Sequence, residues 1–282
     1  MTKDKHVIEA LGKAEVIIEE GKITSIGDPV VDYCSIFEKY QDNGNLTKEF
    51  IQKNINKRIR EFGMCTPERS VKVDDVMSFG TSETLRTNMK EGNIDCVVGA
   101  CDGVGTLIMT DPDIVQGVGG RVSALISTTP IPEVIEKVGK ENVLNPETAE
   151  LNPIKGLEMA LSRGYKNIAI TIIPSPLIRD IREYPVDDDV NIYIFVAHTT
   201  CVTKEEAEML FDYADVISGC SSLYIREVAE ERKTYYSGKK VPLYAVTDDG
   251  RRMLDLRLKF IGKDLTCQDY PQDFSKSPKP LI

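Results

Sequence analysis

Apolar segments and capped helices alternate along the chain from Val71 onward. The apolar segments lack the regular polar alternation of a strand that has one face in water. Such strands are typical of a sheet that is covered by helices on both faces, and their alternation with helices predicts parallel pairing. The strands predicted to share one sheet lie at 94–100, 167–173, 190–197, 215–218 and 241–246. The sequence therefore predicts an α/β fold with a mostly parallel sheet and flanking helices.

Further strands are predicted at 106–109 and 122–127, and short capping patterns mark where helices begin between strands. A Ser, Thr or Asn side chain just before an apolar helical pattern can accept hydrogen bonds from the free N–H groups of the first helical turn. A glutamate three residues after such a cap adds the reciprocal bond of a capping box. The predicted helices lie at 81–91 and 132–138, after Asn152-Pro153, after Thr203 with Glu206, and after Ser221 or Ser222.

The first 66 residues lack the alternation of strands and helices seen in the rest of the chain. They predict a small N-terminal appendage of a β-hairpin and a helix. Two β-branched runs, 14–19 and 22–26, flank a Glu-Gly pair that is typical of a hairpin turn. Thr47 is expected to cap a helix whose apolar face repeats every three or four residues as far as Gly63. The sequence therefore predicts two units, the appendage at 1–66 and an α/β domain at 67–282.

Composition and charge exclude several classes of function. The chain of 282 residues has a formal charge of −10, with no basic run longer than a pair of residues. An acidic surface repels nucleic acids and anionic lipids, so no nucleic-acid partner is expected. No apolar run approaches the roughly 18 residues of a membrane-spanning helix, and residues 1–6 lack the apolar segment of a secretion signal. The sequence therefore predicts a cytoplasmic protein with no membrane partner.

Polar, glycine and cysteine residues follow four of the predicted strands. Ligands of open α/β sheets bind beyond the carboxyl ends of parallel strands, so these loops are expected to form one site. The loops that follow the strands lie at 101–105, 198–201, 219–222 and 247–250.

Two glycine-rich segments are candidate anion sites. Gly103 and Gly105 can bring backbone N–H groups close to an anion, although a hairpin turn between two strands explains them as well. Gly119 and Gly120 are expected to form a second loop beside Arg121, whose guanidinium suits a carboxylate or phosphate. An ordinary surface loop is the alternative. Neither segment has the spacing of a P-loop or of a dinucleotide fingerprint.

Four cysteines in predicted loops are candidate metal ligands. The chain has seven cysteines, and in a cytosolic protein a disulfide framework is not expected. Convergent thiolates of Cys65, Cys101, Cys201 and Cys220 would suit zinc or an iron–sulfur cluster. Their spacing matches no Cys-x-x-Cys pattern, and ordinary cysteines in or beside the core are the alternative.

One histidine and one aspartate are candidate catalytic residues. His198 is one of two histidines in the chain and lies at a predicted strand end, where it could act as a general base, thiol partner or metal ligand. A histidine bonded to a loop carbonyl is the alternative. Asp102 could supply a carboxylate for acid–base work, although aspartate is also common in turns for backbone reasons.

Several segments in one order resemble those of methanogenesis marker protein 8. They are 15–22, 62–67, 78–83, 101–106, 115–121 and 130–133, with the His198 segment following. The resemblance implies a methanogenic archaeon as the source and a role tied to methanogenesis. It further suggests maturation or activation of methyl-coenzyme M reductase, or handling of its cofactor or of an iron–sulfur cluster. That enzyme, or the proteins that activate and assemble it, would be the partner.

Two other hypotheses remain open at this point. The chain could be an enzyme that acts on a small anionic metabolite, with His198 and Asp102 as acid–base groups and the glycine segments as an anion cradle. It could instead be an interaction protein with no small-molecule site, which would require an exposed apolar patch.

Overall fold

The apolar segments of the sequence form the strands of two separate sheets. The computed structural model describes residues 4–39, 41–75, 77–120, 124–263 and 270–282. The strands in these residues are β1 (His6–Glu9), β2 (Glu15–Glu19), β3 (Lys22–Ile26), β4 (Cys96–Cys101), β5 (Gly105–Met109), β6 (Ala124–Ser127), β7 (Asn167–Ile172), β8 (Asn191–Val196), β9 (Val216–Ser218), β10 (Tyr235–Ser237) and β11 (Leu243–Ala245). The larger sheet has the order β10-β11-β9-β8-β7-β4-β5, and the smaller has the order β3-β2-β1-β6.

The larger sheet is parallel at its centre and antiparallel at both edges. β4, β7, β8 and β9 pair in parallel, whereas β5, β11 and β10 pair antiparallel to their neighbours. The prediction of a mostly parallel sheet is therefore confirmed for the four central strands and is wrong for the segment at 241–246. That segment contains β11, which only a short turn separates from β10, and a turn of this length permits antiparallel pairing alone.

Helices cover both faces of the larger sheet. The helices described are α1 (Lys48–Phe62), α2 (Thr81–Lys90), α3 (Pro112–Gly119), α4 (Pro132–Val138), α5 (Pro153–Ser162), α6 (Leu177–Arg182), α7 (Lys204–Tyr213), α8 (Leu223–Glu231) and α9 (Asp248–Phe260). The apolar side chains of α2, α3, α4 and α9 pack in one cluster with one face of the sheet. Those of α5, α6, α7 and α8 pack against the other face.

Successive residues of the central strands enter the two core layers in turn. Val97 lies in one layer and Val98 in the other, and Ala169 is flanked by Ile168 and Ile170 of the opposite layer. All five side chains are buried. Full burial of a Val or Ile side chain is favourable by about 1.5–3 kcal/mol, so the central strands are stabilised from both sides. This explains why their sequences lack polar alternation.

The smaller sheet is antiparallel and packs on α1. The predicted hairpin is confirmed by the pairing of β2 with β3. Thr47 caps α1 by accepting the Phe50 N–H at 3.1 Å, and Gly63 ends it with a φ of 64°, both as predicted. β6, from later in the chain, pairs with β1 and so belongs to this sheet. The boundary between units at residue 66 stays a prediction.

Two segments that were predicted as loops are helical. Gly119 is the last residue of α3, and the N–H of Gly120 donates to Gln116 O. Thr247 caps α9, whose first turn contains Gly250. Both helices carry a glycine because another chain segment passes close by. A Cβ on Gly117 would lie 2.1 Å from Val71 O.

Within the described part of the chain, no helix combines the length and the apolar character needed to cross a membrane.

Candidate functional site

Three of the four predicted loops share the carboxyl edge of the central strands. β4, β8 and β9 are parallel members of one sheet, so the turn at 102–104 and the loops at 197–203 and 219–222 lie at the same edge. The fourth segment, at 247–250, is the cap and first turn of α9; it follows the antiparallel β11 and lies at the opposite edge. There Thr247 donates a 2.7 Å hydrogen bond to Asp215, which precedes β9. The expectation that all four loops meet is therefore wrong for this one.

His198 contacts a carboxylate that the sequence did not single out. Its Nε2 lies 2.8 Å from Oε2 of Glu9, the last residue of β1. The His198 side chain is 12% exposed and that of Glu9 is 27% exposed, so solvent reaches both. His198 has a φ of 65°, in the left-handed region that is costly for a residue with a Cβ. The contact therefore places an imidazole and a carboxylate together at the rim of the sheet.

The electrostatics of this pair favour an ionised Glu9. The hydrogen bond with His198 lowers the pKa of Glu9, partial burial opposes that effect, and the positive charge of Lys13 adds to it. Lys13 Nζ lies 3.4 Å from the same oxygen of Glu9. Among the residues that the structure describes, the other ring nitrogen of His198, Nδ1, has no hydrogen-bond partner. An imidazole oriented by a carboxylate through one nitrogen can exchange a proton through the other.

Hydroxyl groups hold the loops after β8 and β9 against each other. Thr199 Oγ1 donates to Ser218 O at 2.6 Å, and the Ser221 N–H donates to Thr200 Oγ1 at 3.2 Å. Thr199 is fully buried. These bonds fix the backbone that follows His198. The position of the imidazole ring is therefore set by this backbone and by the contact with Glu9.

Asp102 lies in a buried ion pair away from His198. Arg69 Nε lies 3.0 Å from its Oδ1, and neither side chain is exposed to solvent. The Cys65 N–H donates to its Oδ2 at 2.6 Å. Burial opposes ionisation of Asp102, but Arg69 and the Cys65 N–H outweigh it and lower its pKa. The acid–base role of Asp102 stays a prediction, and Glu9 is the carboxylate that contacts His198.

The predicted metal ligands are distributed over this edge. Cys65 and Cys101 flank the carboxylate of Asp102. Burial, and then the negative charge of Asp102, raises the pKa of each of these two thiols. Cys201 is exposed and Cys220 is half-buried. Among the described residues, no three His, Cys, Asp or Glu side chains form a group that could hold a metal ion, and the metal site stays a prediction.

Cys101 ends β4, and Cys220 follows β9, which is not a neighbour of β4 in the larger sheet. β7 and β8 lie between β4 and β9. At a strand spacing of 4.7–4.9 Å, the ends of β4 and β9 are about 14 Å apart.

The glycine segments are engaged by the protein itself. The Gly103 N–H donates to Thr128 Oγ1 at 2.8 Å, and a Cβ on Gly105 would lie 2.3 Å from Ala149 O. The 102–104 turn joins two antiparallel strands, as the alternative interpretation predicted. An anion at Gly103, Gly105, Gly119 or Gly120 stays a prediction, and Arg121 lies outside the described residues.

A cavity of about 340 Å³ lies near the opposite edge of the sheet, beside residues that precede β7 and β8. Its lining includes Lys166, which is already paired with Asp189 at 2.9 Å. The lining residues are Leu161, Gly164, Tyr165, Lys166, Pro185, Val186, Asp187 and Val190. They include no histidine, cysteine or glutamate, so the His198 edge is the stronger candidate for chemistry.

A family model described as "Uncharacterized protein conserved in archaea (DUF2099)" matches residues 6–259, which include Glu9 and His198. The chain belongs to this archaeal family. It is also similar to "Uncharacterized protein MJ0054" of Methanocaldococcus jannaschii, a methanogen. The two are 37% identical over 283 residues, an alignment that covers 99% of this chain and 100% of the relative.

Proposed function

We propose that the protein is an accessory factor of methanogenesis that acts on a small anionic ligand at the carboxyl edge of its central sheet. The ordered motifs that resemble methanogenesis marker protein 8 support the link to methanogenesis. The full-length relative in a methanogen supports it too, as does membership of an archaeal family. Methyl-coenzyme M reductase, or the proteins that activate and assemble it, is the proposed partner.

The observation that carries the proposed chemistry is the 2.8 Å contact between His198 and Glu9. A carboxylate that binds one imidazole nitrogen fixes the orientation of the ring and the tautomer that it presents. His198 then accepts a proton from the ligand, or donates one to it, through Nδ1. Glu9 is an orienting group in this scheme and does not touch the ligand.

Two helices begin at this edge, and their N-terminal ends support an anionic ligand, although Glu205 and Glu206 offset part of the positive end of α7. α7 and α8 begin just after the loops that follow β8 and β9, so the N-terminal ends of both helices lie at the edge. The first turn of a helix carries a partial positive charge and favours anions. Thr203 and Ser222 cap these helices. A phosphorylated or carboxylated compound that sits over the edge would meet both helix ends and His198.

Thermal unfolding under anaerobic conditions tests the ligand class. The wild-type chain is first screened against phosphorylated and carboxylated metabolites, beginning with inorganic phosphate. Each compound that raises the unfolding temperature is then incubated with the protein, and NMR measures whether the compound is converted. A ligand at 100 times its Kd stabilises the folded state by about 2.7 kcal/mol. His198→Gln should abolish turnover. Cys201→Ser, a change at an exposed neighbour in the same loop, should leave it intact. No stabilisation by any compound would contradict the proposal.

Co-purification tests the proposed partner separately. The tagged full chain is isolated anaerobically from a methanogen, and the bound proteins, metals and sulfide are measured. The proposal expects methyl-coenzyme M reductase or its assembly proteins among the bound proteins. Metal and sulfide in the complex would indicate that a cluster or cofactor is handled there. Recovery of the chain alone, with normal reductase activity in a strain that lacks it, would contradict this part.

A further inference from the structure

A carboxylate without a basic partner is buried where α2 begins. Glu83 lies in the first turn of α2 and is 1% exposed. Its Oε1 accepts hydrogen bonds from the Met77 N–H at 3.2 Å and from Gln116 Nε2 at 2.8 Å. Its Oε2 accepts one from the Ser82 hydroxyl at 3.2 Å. All three donors are neutral, and no lysine, arginine or histidine of the described residues forms an ion pair with Glu83.

The amide that donates to Glu83 is itself incompletely bonded. Gln116 lies in the last turn of α3 and is fully buried. Its Nε2 donates to Glu83, but its Oε1 has no hydrogen-bond partner in the described part of the chain. The two atoms belong to one amide group, so the free oxygen lies next to the carboxylate. A buried acceptor without a partner is costly, and a bound ion is one way to satisfy it.

Helix ends of opposite sign meet at this point. The first turn of α2 carries partial positive charge, whereas the last turn of α3 carries partial negative charge. They pack closely, since a Cβ on Gly119 would lie 3.3 Å from Ser82 Cβ. The two partial charges oppose each other and leave the Glu83 carboxylate as the net charge. Gly119 is exposed and Gly80 is half-buried, so a small ion can reach the carboxylate from the surface.

We propose that a monovalent cation (potassium, sodium or ammonium) binds between Glu83 and Gln116. Buried charges in proteins are paired or coordinate metals, and carboxylate and amide oxygens are ligands of hard cations. The cation contacts the free Oε1 of Gln116 and the carboxylate of Glu83, with the Ser82 hydroxyl oxygen as a further ligand. One carboxylate supplies one negative charge, so a monovalent ion neutralises the site, whereas a divalent ion would leave a buried positive charge. This site is independent of the one at His198.

Thermal unfolding of the full chain tests for the cation. The protein is dialysed into choline chloride, and KCl, NaCl or NH₄Cl then replaces that salt at constant ionic strength. We expect at least one of the three ions to raise the unfolding temperature by about 2–4 °C and to saturate, because an ion that binds the folded state stabilises it. A water molecule bound to Gln116 would not distinguish these salts. Equal unfolding temperatures in all four salts would overturn the proposal, as would stabilisation by MgCl₂ or CaCl₂ alone.

A pair of variants separates binding at this site from a general effect of salt. Glu83→Gln removes the charge and should lose the ion-dependent rise. Glu91→Gln, at the exposed residue that follows α2, should keep it. In the wild type, NMR should show that the side-chain amide resonances of Gln116 shift and saturate with the same ion. If Glu83→Gln does not fold, this titration decides. Unmoved Gln116 resonances, or a rise that persists in Glu83→Gln, would overturn the proposal.

Discussion

Glu9 and His198 are 189 positions apart in the chain, and their side chains meet at 2.8 Å between Oε2 and Nε2. Glu9 ends a strand of the smaller sheet, whereas His198 follows a strand of the larger one. The contact therefore ties the two sheets together at the edge where the candidate site lies. It also determines which imidazole nitrogen remains available for a ligand.

Replacement of His198 by Phe should raise the pKa of Glu9. The hydrogen bond from His198 is the largest influence on this carboxyl group and lowers its pKa, against an opposing effect of burial. At pH values above the ordinary glutamate pKa, the contact contributes fully to the stability of the fold. This contribution is lost as the pH falls through the lower pKa that Glu9 has in the folded state. Carbon NMR of labelled glutamate side chains measures the shift directly.

Lys13→Met provides the matched comparison. Lys13 also lowers the pKa of Glu9, but less than the His198 hydrogen bond does, so this variant should shift the titration less. Equal shifts in the two variants would show that general electrostatics, rather than the contact with His198, sets the state of Glu9.

Removal of Arg69 should destabilise the fold strongly. Arg69→Met leaves Asp102 as a buried carboxylate without its partner, which costs about 3–5 kcal/mol. Lys166→Met breaks a pair with Asp189 whose side chains are 42% and 69% exposed, and exposed pairs contribute about 0–1 kcal/mol. Urea unfolding of both variants measures the difference. A similar cost for the two substitutions would contradict the buried ion pair.

Asp102 should make the stability of the fold depend on pH in the acid range. Its pKa is lowered in the folded state, so its stabilising contribution is complete above the pKa of the unfolded chain and is lost as the pH falls through the folded value. In Asp102→Asn the free energy of unfolding should therefore fall less between pH 5 and pH 2 than in the wild type. Equal slopes in the two proteins would be the contrary result.

The glycine at the end of the 102–104 turn should be intolerant of a side chain. Gly105→Ala places a Cβ at 2.3 Å from Ala149 O, with φ at 78°, whereas Gly92 has φ at 76° and no atom within 4 Å of an added Cβ. Gly92→Ala should cost about 1–2 kcal/mol for the left-handed backbone, and Gly105→Ala about 1–3 kcal/mol more because of the clash. Chemical unfolding compares them, and equal costs would show that close packing is unimportant at Gly105.

Local signals explain most of what the sequence predicted. The cap at Thr47, the stop at Gly63 and the capping box at Thr203 depend on residues within one or two helical turns of each other. The central strands were visible because burial on both faces removes polar alternation. These features form the shared edge and place His198 on it.

Long-range pairing explains what the sequence did not predict. Glu9 lies in a four-residue strand, which is too short for a clear period, and nothing near it in sequence indicates a partner as distant as His198. Arg69 is matched to Asp102 only by the fold. The glycines of α3 suggested a loop, although Gly117 is small because the chain at Val71 packs against it. A single sequence does not distinguish a glycine required by close packing of another segment from a glycine required by a turn.

Nitrogen NMR of the full chain labelled at histidine tests the proposed role of His198 most directly. The protein has two histidines. His6 is fully buried with both ring nitrogens bonded, so it serves as an internal control. During titration with inorganic phosphate and then with phosphorylated and carboxylated metabolites, we expect the Nδ1 resonance of His198 to shift and saturate while the resonances of His6 stay constant. No change at His198 with any compound, or equal changes at both histidines, would contradict that role.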